Sequence, residues 1–195
     1  MTTGKILNIP NILTIARIVL IPVFLLIAYW PPAIGVVGHT GSVSRHILLT
    51  SIFILAAVTD WFDGYLARAL NQTSAFGRFL DPVADKLMVA AALVVLVQWK
   101  PTITMAFAAI VIISREITVS ALREWMAELG ARTSVAVSTV GKYKTAFQMI
   151  AISVFLLNWQ PLEILAYILL YTAVILTLWS MIIYLRAAWP FLKQP

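Results

Sequence analysis

The sequence predicts an all-α integral membrane protein of six helices, and three observations carry that expectation. Of the 195 residues, 62% are hydrophobic and only 11% are charged, for a mean hydropathy of +0.94. The apolar residues gather into six runs, each long enough to cross a bilayer. Basic residues then fall almost entirely on one side of those runs. A soluble domain of this length leaves too much chain at its surface to hide so much apolar side chain, whereas a lipid-facing surface removes that difficulty.

A spanning helix needs about 20 mostly apolar residues, and the runs at 12–30, 47–67, 82–99, 101–122, 143–159 and 161–185 qualify. The segment GKILNIPN before the first run is too short to span and is expected to lie at the interface, with Pro10 breaking any continuous helix. Lys5 and Arg17 give the N-terminus the look of a signal peptide. No small-residue cleavage site follows, and the next residues are the bulky Tyr29-Trp30-Pro31-Pro32, so a retained helix is expected. Breakers part several runs: Pro31-Pro32 and Gly35 to Gly41, Lys100-Pro101, and Asn158 to Pro161. The longest polar stretch, 123–144, separates the fourth and fifth runs; Gly130 suits a helix C-cap there and Ser138 or Thr139 an N-cap. With no internal repeat or low-complexity linker, residues 1–195 are expected to form a single membrane domain.

Orientation follows from the basic residues. With six helices and both termini on one side, that side collects Lys5, Arg17, Arg68, Arg78, Lys86, Arg115, Arg123, Arg132, Lys142, Lys144, Arg186 and Lys193, leaving Arg45 and Lys100 opposite. Positive-inside bias puts the larger group in the cytoplasm. The net charge of +6 and pI of about 9.8 are spread among apolar segments, which points to anionic headgroups and phosphate substrates and not to nucleic acid. The chain has no cysteine, which excludes disulfides and thiolate metal sites.

All four aspartates, Asp60, Asp63, Asp81 and Asp85, lie within 26 residues, at the expected cytoplasmic end of the second helix and start of the third. Asp60 and Asp63 are three apart and Asp81 and Asp85 four apart, so each pair shares a helix face. Ionised carboxylates near hydrocarbon are retained when they meet cations or a polar cavity, and four of them together repel strongly. A divalent cation is the simplest remedy; hard oxygen ligands without Cys or a nearby His favour Mg²⁺, Mn²⁺ or Ca²⁺ over Zn²⁺. Gly64 and Ala67 share the Asp60/Asp63 face and Gly77 precedes Asp81 by one turn, leaving room for a bulky group beside the acids. Arg68 and Arg78 flank the cluster as phosphate clamps. The set suits phosphoryl-type transfer from a nucleotide donor. Two plainer readings stand beside it: acids solvated or paired with Arg68, Arg78 or Lys86, and the carboxylates of a cation-coupled transporter, which are expected nearer the bilayer midplane.

Residues 60–85 read DWFDGYLARALNQTSAFGRFLDPVAD. This resembles the signature of the CDP-alcohol phosphotransferase family, D-x-x-D-G-x-x-A-R, eight residues, then G-x-x-x-D-x-x-x-D, and every fixed position matches. The segments NIPNILTIARIVLIP, VTDWFDGYLAR, FLDPVADKLMVA, SREITVSALREWMAELG and VSTVGKYKT extend the resemblance to the bacterial phosphatidylglycerophosphate synthases of that family. The resemblance implies that Asp60, Asp63 and Asp81 bind one or two divalent metals, Mg²⁺ or Mn²⁺, holding the pyrophosphate of a CDP-linked lipid. Asp85 would join the metal site or act as general base on the acceptor hydroxyl. Gly64, Ala67 and Gly77 would leave space for the cytidine nucleotide and Arg68 would steady it. It further implies CDP-diacylglycerol as donor, sn-glycerol 3-phosphate as acceptor, a homodimer, and a place in the bacterial cytoplasmic membrane with the active site facing the cytoplasm. Inositol phosphate and phosphatidylglycerol are the alternative acceptors.

An acceptor phosphate needs cations, and Arg78, Arg115, Arg123, Lys142 and Lys144 all lie on the expected cytoplasmic side. Arg115 and Arg123 are eight residues apart, so one helix flank is expected to present both. Each has the plain alternative of anchoring a helix end, as is expected of Arg186. Asn11, Thr14 and Arg17, at three-residue spacing, are expected to face the nucleotide from the first helix, against the alternative of a snorkelling Arg17. His39 and His46 have no companion ligands, Trp30, Trp99 and Trp159 suit an aromatic belt, and Glu116, Glu124 and Glu128 look solvated or paired around Arg123.

Overall fold

A computed structural model describes residues 9–30, 39–69, 75–129 and 139–192. Among them the regular elements are helical: α1 (Ile9–Tyr29), α2 (His39–Ala69), α3 (Ala75–Trp99), α4 (Ile103–Glu128), α5 (Thr139–Leu157) and α6 (Glu163–Leu192), the last entered through a tight turn at Gln160–Leu162. Five segments are long and apolar enough to cross a membrane: Asn11–Tyr29, Val43–Asp60, Pro82–Trp99, Ile103–Glu128 and Gln160–Phe191. The fifth helix carries a shorter apolar stretch, Tyr143–Leu157. The chain is an all-α integral membrane protein.

Several helices run past their apolar stretches. α2 begins at His39, α3 at Ala75, and α6 continues to Leu192. A helix satisfies its own backbone, so polar residues beyond the hydrocarbon do not end it; hydropathy marks only the part that lies in lipid. Asp81 and Asp85 therefore sit within α3, past its first turn, and not at its start. Pro10 stands in the first turn of α1, where a missing N–H costs no internal bond, so it opens the helix instead of breaking it. Residues 4–8 of the expected interfacial segment lie outside the described residues, as do Gly130 and Ser138.

Where helices do end, local chemistry is visible. Thr102 caps α4: its hydroxyl accepts from the Met105 N–H at 3.2 Å, and its carbonyl accepts from the Ala106 N–H at 3.0 Å. Asn158 ends α5 with φ at +52°, a conformation in which asparagine is among the few tolerated non-glycine residues. Several hydroxyls within the helices are satisfied locally, with Thr50, Thr59, Thr118 and Thr172 each donating to the carbonyl four residues earlier.

The chain divides into two compact units, Met1–Trp99 with Ser153–Trp159, and Lys100–Ile152 with Gln160–Pro195. In the first, α1 packs on α2 and α3, and α2 on α3, around Phe24, Leu49, Phe53, Met88, Leu93 and Leu96. His46 is engaged within this unit: its Nδ1 lies 3.0 Å from the Leu156 carbonyl and its ring meets Trp99 edge-on. In the second unit α4 packs on α6, with Val119, Met126, Tyr184 and Ala188 buried together. Lys100 and Glu163 pair at 2.6 Å across the start of α4 and α6. Large apolar side chains such as Ile110, Ile164 and Ile175 point outward, as lipid-facing positions do.

Replacing Asn158 by Ala is expected to cost about 1 kcal/mol through the left-handed backbone, lowering the thermal midpoint in detergent, whereas Asn158→Gly is expected to leave it near the wild-type value.

Candidate functional site

The first unit assembles its polar groups from three helices. Asn11, Thr14 and Arg17 are all buried, so the three-residue spacing does place them on one inward face of an otherwise apolar α1. Arg17 does not snorkel. Its side chain is 1% exposed and its Nη1 donates to Asp60 Oδ1 on α2 at 2.5 Å, with the Asp60 side chain 42% exposed. A buried guanidinium demands an anionic partner because it cannot shed its proton. The partner lies 43 residues away in sequence, beyond the reach of the local pairings with Arg68, Arg78 or Lys86 that spacing suggests.

On α3, Gly77 is buried and Asp85 half-buried. Asp63, Gly64, Ala67 and Arg68 belong to α2, Arg78 and Asp81 to α3, and Lys142 to α5, but their side chains lie outside the described residues. Of the four acids, then, Asp60 and Asp85 are the two with described side chains, carried by helices that pack together. Among the described residues no group of three or more potential ligands gathers. The donor chemistry nonetheless fits a hard divalent cation: carboxylate oxygens, on two packed helices, with a second oxygen on Asp60 beyond the one that Arg17 holds.

The second unit holds a separate network. Arg115 on α4 is buried; its Nη2 donates to Ser180 Oγ on α6 at 2.5 Å, its Nη1 to Glu116 Oε1 at 3.1 Å, and its guanidinium lies 5.7 Å from the centre of the Tyr184 ring. Ser180 in turn donates to the Thr177 carbonyl at 3.1 Å. Lys144 on α5, also buried, donates to the same Glu116 Oε1. Gln148 lies one turn further along α5 and is 3% exposed. Arg123, by contrast, is exposed. Eight residues advance a helix by about 80° beyond two full turns, enough to take Arg123 off the buried flank where Arg115 sits.

The sequence leaves Glu116 solvated or paired around Arg123; it is paired, but with Arg115 and Lys144, and Gln148, Thr177, Ser180 and Tyr184 carry no expectation from the sequence. A signal was available: polar residues recurring at three- and four-residue steps inside a long apolar run mark an inward face. Glu124 and Glu128 are exposed, as expected.

Fold and site together define a multi-pass membrane protein that carries buried charge on several of its helices. The chain belongs to the CDP-alcohol phosphatidyltransferase family, which it matches over residues 7–179. It is 53% identical over 182 residues to a Haemophilus influenzae protein, covering 93% of each chain. To a Pseudomonas fluorescens protein it is 51% identical over 191 residues, covering 96% of this chain and 93% of the other. A Yersinia pestis relative is 49% identical over 192 residues, covering 97% and 99%. All three bear the name CDP-diacylglycerol–glycerol-3-phosphate 3-phosphatidyltransferase. The family is generally dependent on divalent metal.

A double-mutant cycle of Arg17→Met and Asp60→Asn, followed by thermal unfolding in detergent with chelator, is expected to return a coupling of about 1–3 kcal/mol. Additive losses would mean that the pair is not an energetic unit.

Proposed function

We propose that this chain transfers the phosphatidyl group of CDP-diacylglycerol to sn-glycerol 3-phosphate, releasing CMP and phosphatidylglycerol phosphate, at the cytoplasmic face of a bacterial cytoplasmic membrane. The observation that carries the reading is identity of 49–53% to relatives named for this activity, over 93–97% of the chain. Likeness of that extent favours glycerol 3-phosphate over inositol phosphate or phosphatidylglycerol, and a transferase over a cation-coupled transporter. The family match crosses both units, which supports one catalytic domain over residues 1–195; a homodimer is part of the same proposal.

Asp60, Asp63 and Asp81 would hold Mg²⁺ or Mn²⁺, which would neutralise the donor pyrophosphate and the departing phosphate of CMP. The remaining roles belong to the chain. Asp85 takes the proton from the acceptor hydroxyl, whose pKa near that of water makes a base necessary at the moment of attack. The acceptor oxygen forms a bond to the phosphorus that bears diacylglycerol. The bond from that phosphorus to the bridging oxygen breaks, and its electron pair leaves with CMP. Arg17 fixes the Asp60 carboxylate from α1, so the acid is oriented before substrate arrives. Gly64, Ala67 and Gly77 leave room for cytidine, Arg68 steadies it, and Asn11 and Thr14 meet the nucleotide from α1. Arg78, Arg115, Arg123, Lys142 and Lys144 supply the positive charge that a phosphate dianion needs.

The test is CMP release by purified protein given CDP-diacylglycerol and Mg²⁺ or Mn²⁺, with each acceptor offered separately. Metal-dependent release with glycerol 3-phosphate alone is the expected result; release only with another acceptor would overturn the substrate assignment. Asp85→Asn is expected to lower kcat by roughly 10²- to 10⁴-fold, the size of a general-base contribution, with the KM for CDP-diacylglycerol little changed. Near-normal turnover would remove Asp85 from the mechanism.

A further inference from the structure

We infer that Glu116 is a resident counter-anion for Arg115 and Lys144, exchanged for the phosphate of the acceptor when that substrate binds. The inference rests on the reading of those two cations as acceptor ligands.

Both cations are buried, and both reach one oxygen, Glu116 Oε1: Arg115 through Nη1 at 3.1 Å and Lys144 through Nζ. Two cations held together away from water repel, and each pays for its lost hydration unless an anion stands by. Glu116 supplies that anion before any substrate arrives. Its own side chain is 22% exposed against 8% and 6% for its partners, so it reaches them from the wetter side of the cluster. A carboxylate with a route to water can leave without stranding its charge.

The cations themselves are fixed. Ser180 and the Tyr184 ring hold the Arg115 guanidinium from α6, so its place does not depend on Glu116. Among the described residues of the same unit, three buried polar atoms have no protein partner, Arg115 Nε, Gln148 Oε1 and Thr177 Oγ1, and Gln148 follows Lys144 by one turn on the same face of α5. An unpaired N–H donor and an unpaired carbonyl acceptor are what a ligand carrying both an anionic oxygen and a hydroxyl would satisfy. A phosphate monoester of a polyol has both.

Charge then decides which acceptors succeed. Turning Glu116 to water takes one negative charge from Arg115 and Lys144, and a phosphate dianion brings two in its place. A phosphate also offers three oxygens where Glu116 shares one. A phosphodiester, with a single negative charge, gains too little to displace the resident carboxylate. Glu116 is thus a positioning residue that sets a charge threshold for the acceptor.

The experiment measures CMP release against glycerol 3-phosphate concentration for wild type, Glu116→Gln and Lys144→Gln. Glu116→Gln keeps an oxygen for the two cations but removes the competing charge. It is expected to lower the acceptor KM roughly three- to tenfold, the scale of one close charge interaction, while kcat and the KM for CDP-diacylglycerol stay within about twofold. Inorganic phosphate is expected to inhibit the variant at correspondingly lower concentration. Lys144→Gln is expected to raise the acceptor KM about tenfold or more. If Lys144→Gln leaves that KM unchanged, the acceptor reading fails and this inference falls with it. If Lys144→Gln raises it but Glu116→Gln leaves it unchanged or raises it, the acceptor reading stands and the counter-anion inference is wrong. Should Glu116→Gln not survive purification, Glu116→Asp serves: its shorter arm draws the shared oxygen away from Lys144, and a smaller fall in acceptor KM is expected, with no fall overturning the inference.

Discussion

Charge buried among membrane helices must be met by opposite charge, and this constraint organises the polar part of the chain. Arg17 is the clearest case. It sits 1% exposed in a helix whose other residues are nearly all apolar, and the Asp60 carboxylate comes from α2 to meet it. A guanidinium cannot lose its proton to escape burial, so the packing of α1 on α2 is required to deliver an anion to that point. Phe24, Leu49 and Phe53 are buried elsewhere along these helices, and apolar packing of that kind would tolerate sliding. The ion pair does not, because a shift of one residue along either helix would leave both charges unmatched.

The second unit answers the same constraint with a network in place of a pair. Arg115 is held by a hydroxyl, an aromatic face and a carboxylate at once, and Lys144 shares that carboxylate. Residues from α4, α5 and α6 are therefore tied by polar contacts inside a body whose outer surface is apolar. In lipid the hydrophobic effect does little to choose between helix faces, so such contacts and close packing set which face turns inward. α6 is apolar on nearly every side, so the buried Thr177, Ser180 and Tyr184 are the residues with polar atoms that mark its inward face.

Much of the fold was legible because lipid imposes simple rules on sequence. Long apolar runs, the breakers at Lys100-Pro101 and Asn158 to Pro161, and the polar stretch before Thr139 located the helices. The ends at His39, Ala75 and Leu192 were not legible, since a helical backbone continues into polar sequence beyond its apolar run. For the site, spacing placed Asn11, Thr14 and Arg17 on one buried face. It erred for Arg115 and Arg123, where eight residues read as two whole turns overlooked the angular drift of a 3.6-residue helix.

What the sequence determined by itself is whatever depends on composition and local spacing: residence in a membrane, six helical stretches, four clustered aspartates and the complete family signature. Those properties repeat within a turn or two of helix, so a linear reading captures them. Tertiary structure alone decided which charges meet. Asp60 pairs with Arg17 across 43 residues, Glu116 with Lys144 across 28, and Arg115 with Ser180 across 65. Such partners are chosen by how helices rotate and pack against one another, and no periodicity along the chain encodes that rotation.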